Sequence, residues 1–298
     1  MKVLVIGRSG QVARALVEAA EGRESLELVA VGRPELDLER SETVAKVVRR
    51  VRPEVVINAA AYTAVDQAEV EPRKAHRINA EGAGTIAREA RAAGAAFIHL
   101  STDYVFSGEQ CEPYRDDSPT GPLGVYGRTK LEGEEHVRAE ALDHMIVRTA
   151  WVYSPFAPNF VCTMMRLASE HERLAVVDDQ RGSPTSAADL ADALLRVVDE
   201  WRQGKRTGMG ATYHVTNSGV ATWAEFAGAI FTECRRLGLP AAEVQPIPTG
   251  DWPAKASRPM YSVLDCTRFT RDFGYRLPDW RISIAGVVSR IAGVDGGR

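Results

Sequence analysis

The stretch KVLVIGRSGQVA, Lys2 to Ala13, passes from an apolar strand through a glycine turn into a helix. Gly7 permits a tight turn, Gly10 lets an anionic group approach the backbone, and Ala13 is small enough for the helix to pack on the sheet. A pyrophosphate would then face the helix N-terminus, where backbone N–H groups lack partners. A glycine turn alone is weak evidence, but its place at the first strand-to-helix junction favours a dinucleotide site over a merely structural turn.

The first half of the chain alternates short apolar strands with helical segments, which predicts a parallel sheet covered by helices. Such strands are apolar almost throughout because both faces of the sheet are buried. We therefore predict an α/β fold, with a doubly wound parallel (Rossmann) sheet and a smaller α+β lobe. The predicted strands are 2–7, 26–32, 55–60, 95–101 and 144–150, and the predicted helices are 12–21, 41–51, 79–93 and the segment after Gly127.

The second half is less regular and suggests a smaller lobe. Segments 159–170, 187–204 and 222–238 predict helices, 174–179 predicts a strand, and 212–219 predicts one further strand of the main sheet. Asn159 is the expected N-cap of the first of these helices, and Thr222 with Glu225 predicts a capping box. The proline-rich segment 240–259 predicts loops. We expect a dinucleotide-binding domain over residues 1–150, with segments near 185–220 crossing back to it, and a substrate lobe formed mainly by 151–298.

Composition and charge argue against a nucleic-acid-binding protein, a membrane protein and a secreted protein. Among 298 residues, 40 acidic and 37 basic side chains leave a net charge of −3, which predicts no attraction to nucleic acid or to an anionic membrane. The first apolar run is too short for a signal peptide or a membrane span. Cys111, Cys162, Cys234 and Cys266 are far apart and show no metal-ligand spacing, so we predict no metal site from them and a reduced, cytoplasmic protein.

The end of the second predicted strand indicates which cofactor is used. Folds that prefer NAD usually carry an acid there, whereas this chain has Arg33. An arginine can accept the 2′-phosphate, so we predict NADPH, with NADH as the alternative. Asp37 and Leu38 follow in a loop that could flank the adenine, although an ordinary surface aspartate explains Asp37 nearly as well.

Tyr126 and Lys130 are four residues apart in a predicted helix, so their side chains share one face. A nearby ammonium lowers the pKa of a phenol, which suits a proton donor to a carbonyl that is being reduced. Thr102 ends the fourth predicted strand, where open α/β sheets bind ligands, and its hydroxyl could bond the same oxygen. The lysine could also hold the nicotinamide ribose. Together these residues predict a Thr-Tyr-Lys triad.

Nine segments, in order, carry a resemblance that covers essentially the whole chain: GRSGQVA, ELDL, NAAAYTAVDQAE, STDYVF, YGRTK, RTAWVY, NFVCTMMRLA, DDQRGSPT and SRPMYSVLD. The chain resembles the dTDP-4-dehydrorhamnose reductases, a family of extended short-chain dehydrogenase/reductases. STDYVF and RTAWVY are more specific than the glycine turn, which the whole superfamily shares. Ala13 departs from the family's last glycine, which modestly alters helix packing.

The resemblance implies that NADPH reduces the 4-keto group of dTDP-4-dehydro-L-rhamnose to give dTDP-L-rhamnose. It makes Tyr126 the proton donor, Lys130 its partner and Thr102 the carbonyl ligand. It implies that Thr102, Asp103 and Trp151 contact the sugar. It implies cofactor contacts, beyond Gly7, Gly10 and Arg33, from Gln11, Val12, Asp37, Leu38, Ala61, Tyr62, Thr63, Tyr126 and Lys130. Some relatives are homodimers, in certain cases assisted by a divalent metal, so both a homodimer and such a metal stay open.

Two observations address the alternatives. Related 4,6-dehydratases carry an Asp-Glu pair after the threonine, but here Asp103 is followed by Tyr104, which favours simple reduction. Another deoxysugar-nucleotide ketoreductase or an epimerase would use the same triad. A regulatory subunit resembling that of methionine adenosyltransferase is a third alternative, although the intact triad favours catalysis. Arg258, in a loop before a proline, is a candidate partner for a diphosphate or an ordinary surface residue.

Overall fold

A computed structural model describes residues 1–156 and 158–293, and a parallel sheet lies at its centre. The strands are β1 (Lys2–Ile6), β2 (Glu27–Val31), β3 (Val55–Asn58), β4 (Ala96–Thr102), β5 (His144–Thr149), β6 (Val152–Tyr153), β7 (Arg173–Val177), β8 (Arg181–Gly182), β9 (Thr185–Ser186), β10 (Ala211–His214), β11 (Ala221–Thr222) and β12 (Glu243–Ile247). The α-helices are α1 (Gln11–Ala20), α2 (Ser41–Val51), α3 (Val65–Ala68), α4 (Pro72–His76), α5 (Gly82–Ala92), α6 (Val125–Glu140), α7 (Phe160–Ala168), α8 (Ala187–Arg202), α9 (Trp223–Arg236), α10 (Thr267–Phe273) and α11 (Trp280–Ile291).

The main sheet has six strands in the order β2-β1-β3-β4-β5-β10, and every neighbouring pair is parallel. The strand order reverses between β1 and β3. In doubly wound sheets, ligands bind at such a reversal, outside the carboxyl ends of the strands. The fold therefore places a binding crevice beside the glycine turn that follows β1.

Two buried apolar layers cover the sheet. On one face, alternate residues of the strands, such as Val3 and Val5, pack against α1 and α8. On the other face, Leu4 and Ile6 pack with residues of α2, α5 and α6. Each fully buried aliphatic side chain of this kind stabilises the fold by about 1.5–3 kcal/mol. Because α8 and β10 belong to the second half of the chain, both halves build the central domain.

The smaller lobe has its own apolar core, formed by α7, α9 and α11 around residues such as Phe226 and Trp280. Its helices begin as their sequences predict. Asn159 accepts a hydrogen bond from the Cys162 amide before α7, and Thr222 and Glu225 form the expected capping box before α9.

The predicted α/β fold is confirmed, and most predicted elements differ from the observed ones by one or two residues at each end. One prediction is wrong: within 240–259, β12 pairs with β7 in parallel, although loops are expected there. Pro246 is compatible with this two-stranded sheet because a strand with a free edge tolerates a missing N–H donor. The predicted helix 79–93 begins instead as a π-helical turn, Arg77–Glu81, that continues from α4 into α5.

Candidate active site at the carboxyl ends of the strands

The glycine turn between β1 and α1 is shaped to approach an anion closely. Gly7 has a φ of 118°, which favours glycine, and a Cβ there would lie 3.3 Å from the Ala59 carbonyl carbon. Gly10 is the N-cap residue of α1, and no side chain there bonds the first N–H groups of the helix. A Cβ on Gly10 would meet nothing within 4 Å. The first turn of α1 contains no acidic residue. Open space over uncapped N–H groups fits a dinucleotide pyrophosphate.

Gln11 and Val12 begin α1, as the resemblance implies for residues that meet a pyrophosphate. The Gln11 side chain is already bonded: its Nε2 donates to the Val152 carbonyl oxygen (3.1 Å), and its Oε1 accepts from the Ser154 hydroxyl (2.8 Å). Val12 is buried in the core. These two residues therefore present backbone groups, not side chains, to this end of the helix.

Two exposed arginines lie near each other, Arg8 in the glycine turn after β1 and Arg33 after the end of β2. A Cβ on Gly32 would lie 3.1 Å from the Arg8 Cβ, so the glycine turn touches the end of β2. Arg8 and Arg33 are exposed, and neither guanidinium makes a hydrogen bond or an ion pair within the described part of the chain. Asp37 follows in a turn in which its carboxylate accepts the Glu39 amide (3.1 Å). Sequence reasoning identified Arg33 but missed Arg8, because only the fold brings the two strand ends together.

The loop after β3, which contains Ala61, Tyr62 and Thr63, is held by one buried asparagine. Asn79 Oδ1 accepts from the Tyr62 amide (2.8 Å), and its Nδ2 donates to the Tyr62 carbonyl oxygen (3.2 Å). The same Nδ2 lies 3.1 Å from the Thr129 hydroxyl, in α6. Asn79 belongs to the π-helical turn, a feature that often occurs at functional sites. The loop and α6 are therefore positioned together.

Thr102 and Tyr126 meet at the end of β4. Burial raises the pKa of Tyr126 to about 12, and the neighbouring Thr102 hydroxyl opposes that rise. The Thr102 hydroxyl also lies 3.0 Å from Asp103 Oδ1. The ring of Tyr104 packs edge-on against Tyr126, with centroids 5.5 Å apart. The structure thus brings together the predicted phenol, which is half-buried, and the predicted hydroxyl, which is buried.

Lys130 lies one turn further along α6 and is 2% exposed. Its Nζ donates to the Leu100 carbonyl oxygen (2.6 Å) and lies 3.3 Å from His99 Nε2. Burial lowers the pKa of Lys130 to about 8. The sequence predicts that this lysine lowers the pKa of Tyr126, but in the structure that pKa is raised, because withdrawal of the phenol from water outweighs other influences.

Asp103 and Trp151 lie at the ends of β4 and β5. Burial raises the pKa of Asp103 to about 6, and its Oδ2 is a buried oxygen without a hydrogen-bond partner in residues 1–156 and 158–293. Trp151 has a left-handed backbone (φ 47°), which is uncommon for a non-glycine residue and often marks a functional site. Its indole stacks on Trp223 with centroids 3.5 Å apart, and a Cβ on Gly182 would clash with it at 2.4 Å.

Arg258 is engaged within the protein. Its Nη2 donates to Asp66 Oδ2 (2.7 Å), and the Lys255 and Ala256 amides donate to Asp66 Oδ1 (3.0 and 2.9 Å). These bonds join a loop of the smaller lobe to α3 of the central domain. The carboxylate of Asp66 and the guanidinium of Arg258 form an ion pair, so a diphosphate would have to compete with Asp66 for Arg258.

The described ranges contain neither a cluster of metal-ligating side chains nor a helix that could span a membrane. No group of three or more His, Cys, Asp or Glu side chains in 1–156 and 158–293 is placed to hold a metal ion. No helix in those ranges is both long enough and apolar enough to cross a membrane.

Comparison with known proteins points to one family. Residues 1–292 match the family model described as RmlD substrate binding domain. A dTDP-4-dehydrorhamnose reductase from Sinorhizobium fredii is 41% identical, with 97% of each chain covered. A reductase of that name from Clostridium acetobutylicum superposes with a TM-score of 0.91 at 37% identity, over 98% of this chain and 100% of the other. A third, from Bacillus anthracis, solved in complex with NADP, gives a TM-score of 0.89 at 35% identity, over 97% and 99%.

Proposed function

The chain belongs to the dTDP-4-dehydrorhamnose reductase family, whose RmlD substrate binding domain it matches almost end to end, and we propose that it reduces the 4-keto group of dTDP-4-dehydro-L-rhamnose to give dTDP-L-rhamnose. The observation that carries the proposal is the placement of Tyr126, near the start of α6, beside Thr102 at the carboxyl end of β4. This is the edge of the sheet at which the glycine turn also lies, so a phenol and a nicotinamide cofactor would share one crevice.

Tyr126 is the proton donor of the proposed reaction. When bound, NADPH supplies a hydride, which brings two electrons and one hydrogen to C4 of the sugar. Tyr126 gives its phenolic proton to the carbonyl oxygen, so the C=O bond becomes CH–OH, and water restores the proton. A pKa of about 12 keeps this phenol protonated at neutral pH, as a donor requires.

Two further side chains hold the sugar in this proposal. The Thr102 hydroxyl bonds the carbonyl oxygen, which stabilises the negative charge that develops there as the hydride arrives. Asp103 has an unpartnered buried oxygen, which supports a hydrogen bond from a sugar hydroxyl. Trp151 borders this site with a constrained backbone, which supports a role in limiting how the sugar ring is placed.

NADPH is the proposed cofactor. Arg8 and Arg33 place two exposed positive charges beside the end of β2, and both suit a 2′-phosphate. The relative from Bacillus anthracis was solved with NADP. Of the two acids that follow Arg33, Glu35 is paired with Arg50 and the Asp37 carboxylate accepts a backbone amide, so both are already engaged within the protein. The remaining cofactor contacts that the resemblance implies are proposed at the positions described above.

We further propose that the central domain binds the cofactor and that the lobe after residue 150 holds the nucleotide. A cytoplasmic location and a homodimer remain predictions from the sequence and the resemblance.

The function is tested by mixing the protein with NADPH and dTDP-4-dehydro-L-rhamnose made in situ, and following the loss of NADPH absorbance. We expect one NADPH to be oxidised for each molecule of dTDP-L-rhamnose formed. The UDP-linked sugar and NADH serve as comparisons for specificity. If the keto sugar persists and NADPH is not consumed, the reductase proposal fails and a regulatory role becomes the better explanation.

A further inference from the structure

A buried chain of hydrogen bonds runs from β3 through β4 to Lys130, and two of its members have no role in the steps above. Asn58 ends β3, and His99 is its paired neighbour in β4. Both side chains are 1% exposed. Neither side chain has access to water, so their hydrogen bonds are decided by the protein groups around them.

A backbone N–H fixes the orientation of the Asn58 side-chain amide, which is the first member of this series of hydrogen bonds. The Ala60 backbone N–H donates to Asn58 Oδ1 (3.1 Å), so the NH₂ group is the other end of the amide. That group, Nδ2, lies 3.1 Å from His99 Nδ1. An amide NH₂ can only donate, so Nδ1 must be the acceptor and carries no proton.

The position of the His99 proton follows. A neutral imidazole with a bare Nδ1 has its proton on Nε2, and His99 Nε2 lies 3.3 Å from Lys130 Nζ. An ammonium group has no lone pair, so it cannot accept this N–H, whereas a free amine can. As an amine, Lys130 still donates to the Leu100 carbonyl oxygen (2.6 Å) while it accepts from His99.

We propose that His99 is a positioning residue that favours the free-amine form of Lys130 by donating its Nε2–H, with the tautomer fixed by Asn58. The inference rests on the reductase function proposed above, together with the role of Lys130 as partner of Tyr126 that the resemblance implies. A lysine balanced between ammonium and amine can give a proton to the Tyr126 phenolate and then take one from water. The protein thus recovers its starting protonation state after each turnover, and the one proton that the new hydroxyl group consumes comes from the solvent.

The surrounding charges agree with this role. Burial lowers the pKa of Lys130 to about 8, while the carboxylate of Glu134, one turn further along α6, raises it. Burial also lowers the pKa of His99 well below its usual range, and the Lys130 charge lowers it further. Arg138 in α6 and His144 in β5 act on His99 in the same direction. His99 therefore remains a neutral donor while Lys130 changes its charge.

Long-range ¹H–¹⁵N NMR of the ¹⁵N-histidine-labelled wild-type protein tests the tautomer without any turnover. The His99 signals are assigned by their loss in the His99→Gln variant. We expect the Nε2–H tautomer from pH 6 to 9.5, with one change of the Nε2 shift centred near pH 8 as Lys130 loses its proton. A proton on Nδ1, an imidazolium, or no change across this range would overturn the proposal.

The pH profile of kcat/KM tests the effect on Lys130. We expect His99→Leu to move the alkaline limb upward by about one pH unit, since one hydrogen bond to the amine is lost. His99→Gln can keep an N–H donor and should move the limb back toward the wild-type position. The control His136→Gln changes an exposed histidine of α6, the helix that carries Lys130, and should leave the alkaline limb in place.

An alkaline limb that stays in place in His99→Leu contradicts the proposal. If the wild-type protein does not reduce the keto sugar, the proposed function fails, and the NMR titration still decides the tautomer and the ionisation of Lys130. The same titration decides the matter if His99→Leu does not fold.

Discussion

At the scale of single residues, burial sets the protonation states on which the proposed chemistry depends. The spacing of Tyr126 and Lys130 predicts that both lie on one face of a helix, and α6 contains both. Sequence reasoning could not predict that burial raises the pKa of Tyr126 to about 12, because desolvation depends on which distant segments close over the phenol. It could not identify His99 either, since its contact with Lys130 joins a strand to a helix.

Cofactor preference is a residue-scale prediction. The double variant Arg8→Ala with Arg33→Ala should raise the KM for NADPH roughly 10²- to 10⁴-fold, because each charge-assisted hydrogen bond to a phosphate contributes about 1.5–3 kcal/mol and the variant removes two. The KM for NADH should change little. Steady-state kinetics with both cofactors measures this, and Arg49→Ala, an exposed arginine in the last turn of α2, is the control. Equal losses with NADPH and NADH would show that the arginines do not contact the 2′-phosphate.

At the scale of elements, a buried ion pair holds α6 against the sheet. Glu134 is 0% exposed and accepts from Arg148 of β5 in two hydrogen bonds (2.8 and 2.7 Å) and from Ser101 of β4 (2.6 Å). Burial alone would raise the pKa of Glu134, but the bonds and charge of Arg148 outweigh it and keep that pKa below its usual value. This contact fixes the helix that carries Tyr126 over the strand that carries Thr102.

Replacing Glu134 by glutamine should lower the free energy of unfolding by about 3–5 kcal/mol, because Arg148 would remain buried without a counter-charge. A carboxylate with a lowered pKa stabilises the fold above its unfolded pKa of about 4.3, and this stabilisation is lost as the pH falls further. The difference between wild type and variant should therefore shrink in acid. Urea unfolding at pH 7 and pH 3.5 measures both effects, with Glu135→Gln, an exposed neighbour, as the control. A difference that is constant with pH would refute the role of the charge.

Local signals account for the elements that sequence reasoning predicted. Helix α2 matches its predicted range, and the capping box of α9 is read directly from Thr222 and Glu225. The pairing of β12 with β7 was missed because it joins segments about 70 residues apart, and the prolines of 240–259 suggested loops. The π-helical turn that carries Asn79 has no distinct sequence pattern, although it positions the loop after β3.

At the scale of the whole molecule, the two lobes are joined at several places around the crevice. Gln11 at the start of α1 bonds the segment after β5, and Asp66 of α3 bonds the loop that contains Arg258. Arg258 also lies close enough for its charge to lower the pKa of Tyr104, whose ring packs on Tyr126. The smaller lobe is thereby connected to the residue that we propose as proton donor.

Loss of the contact between Asp66 and the Arg258 loop should weaken binding of the nucleotide sugar more than binding of the cofactor. Asp66→Ala removes the acceptor of four hydrogen bonds and should raise the KM for the nucleotide sugar about tenfold, while the Kd for NADPH stays close to that of wild type. Asp66→Asn keeps an oxygen for the backbone amides and should have a smaller effect. Kinetics and fluorescence titration together measure this. A large loss of NADPH affinity in Asp66→Ala would contradict the proposed division between the lobes.

The central claim is that Tyr126 donates the proton in the reduction of the 4-keto group. It is tested most directly by the rate of NADPH oxidation in a single turnover of Tyr126→Phe, with saturating NADPH and keto sugar, and with Tyr104→Phe as the matched control. We expect the Tyr126 variant to slow this step by about 10²- to 10⁴-fold and to bind NADPH as the wild type does. A rate within about threefold of wild type would contradict the assignment of Tyr126 as the donor.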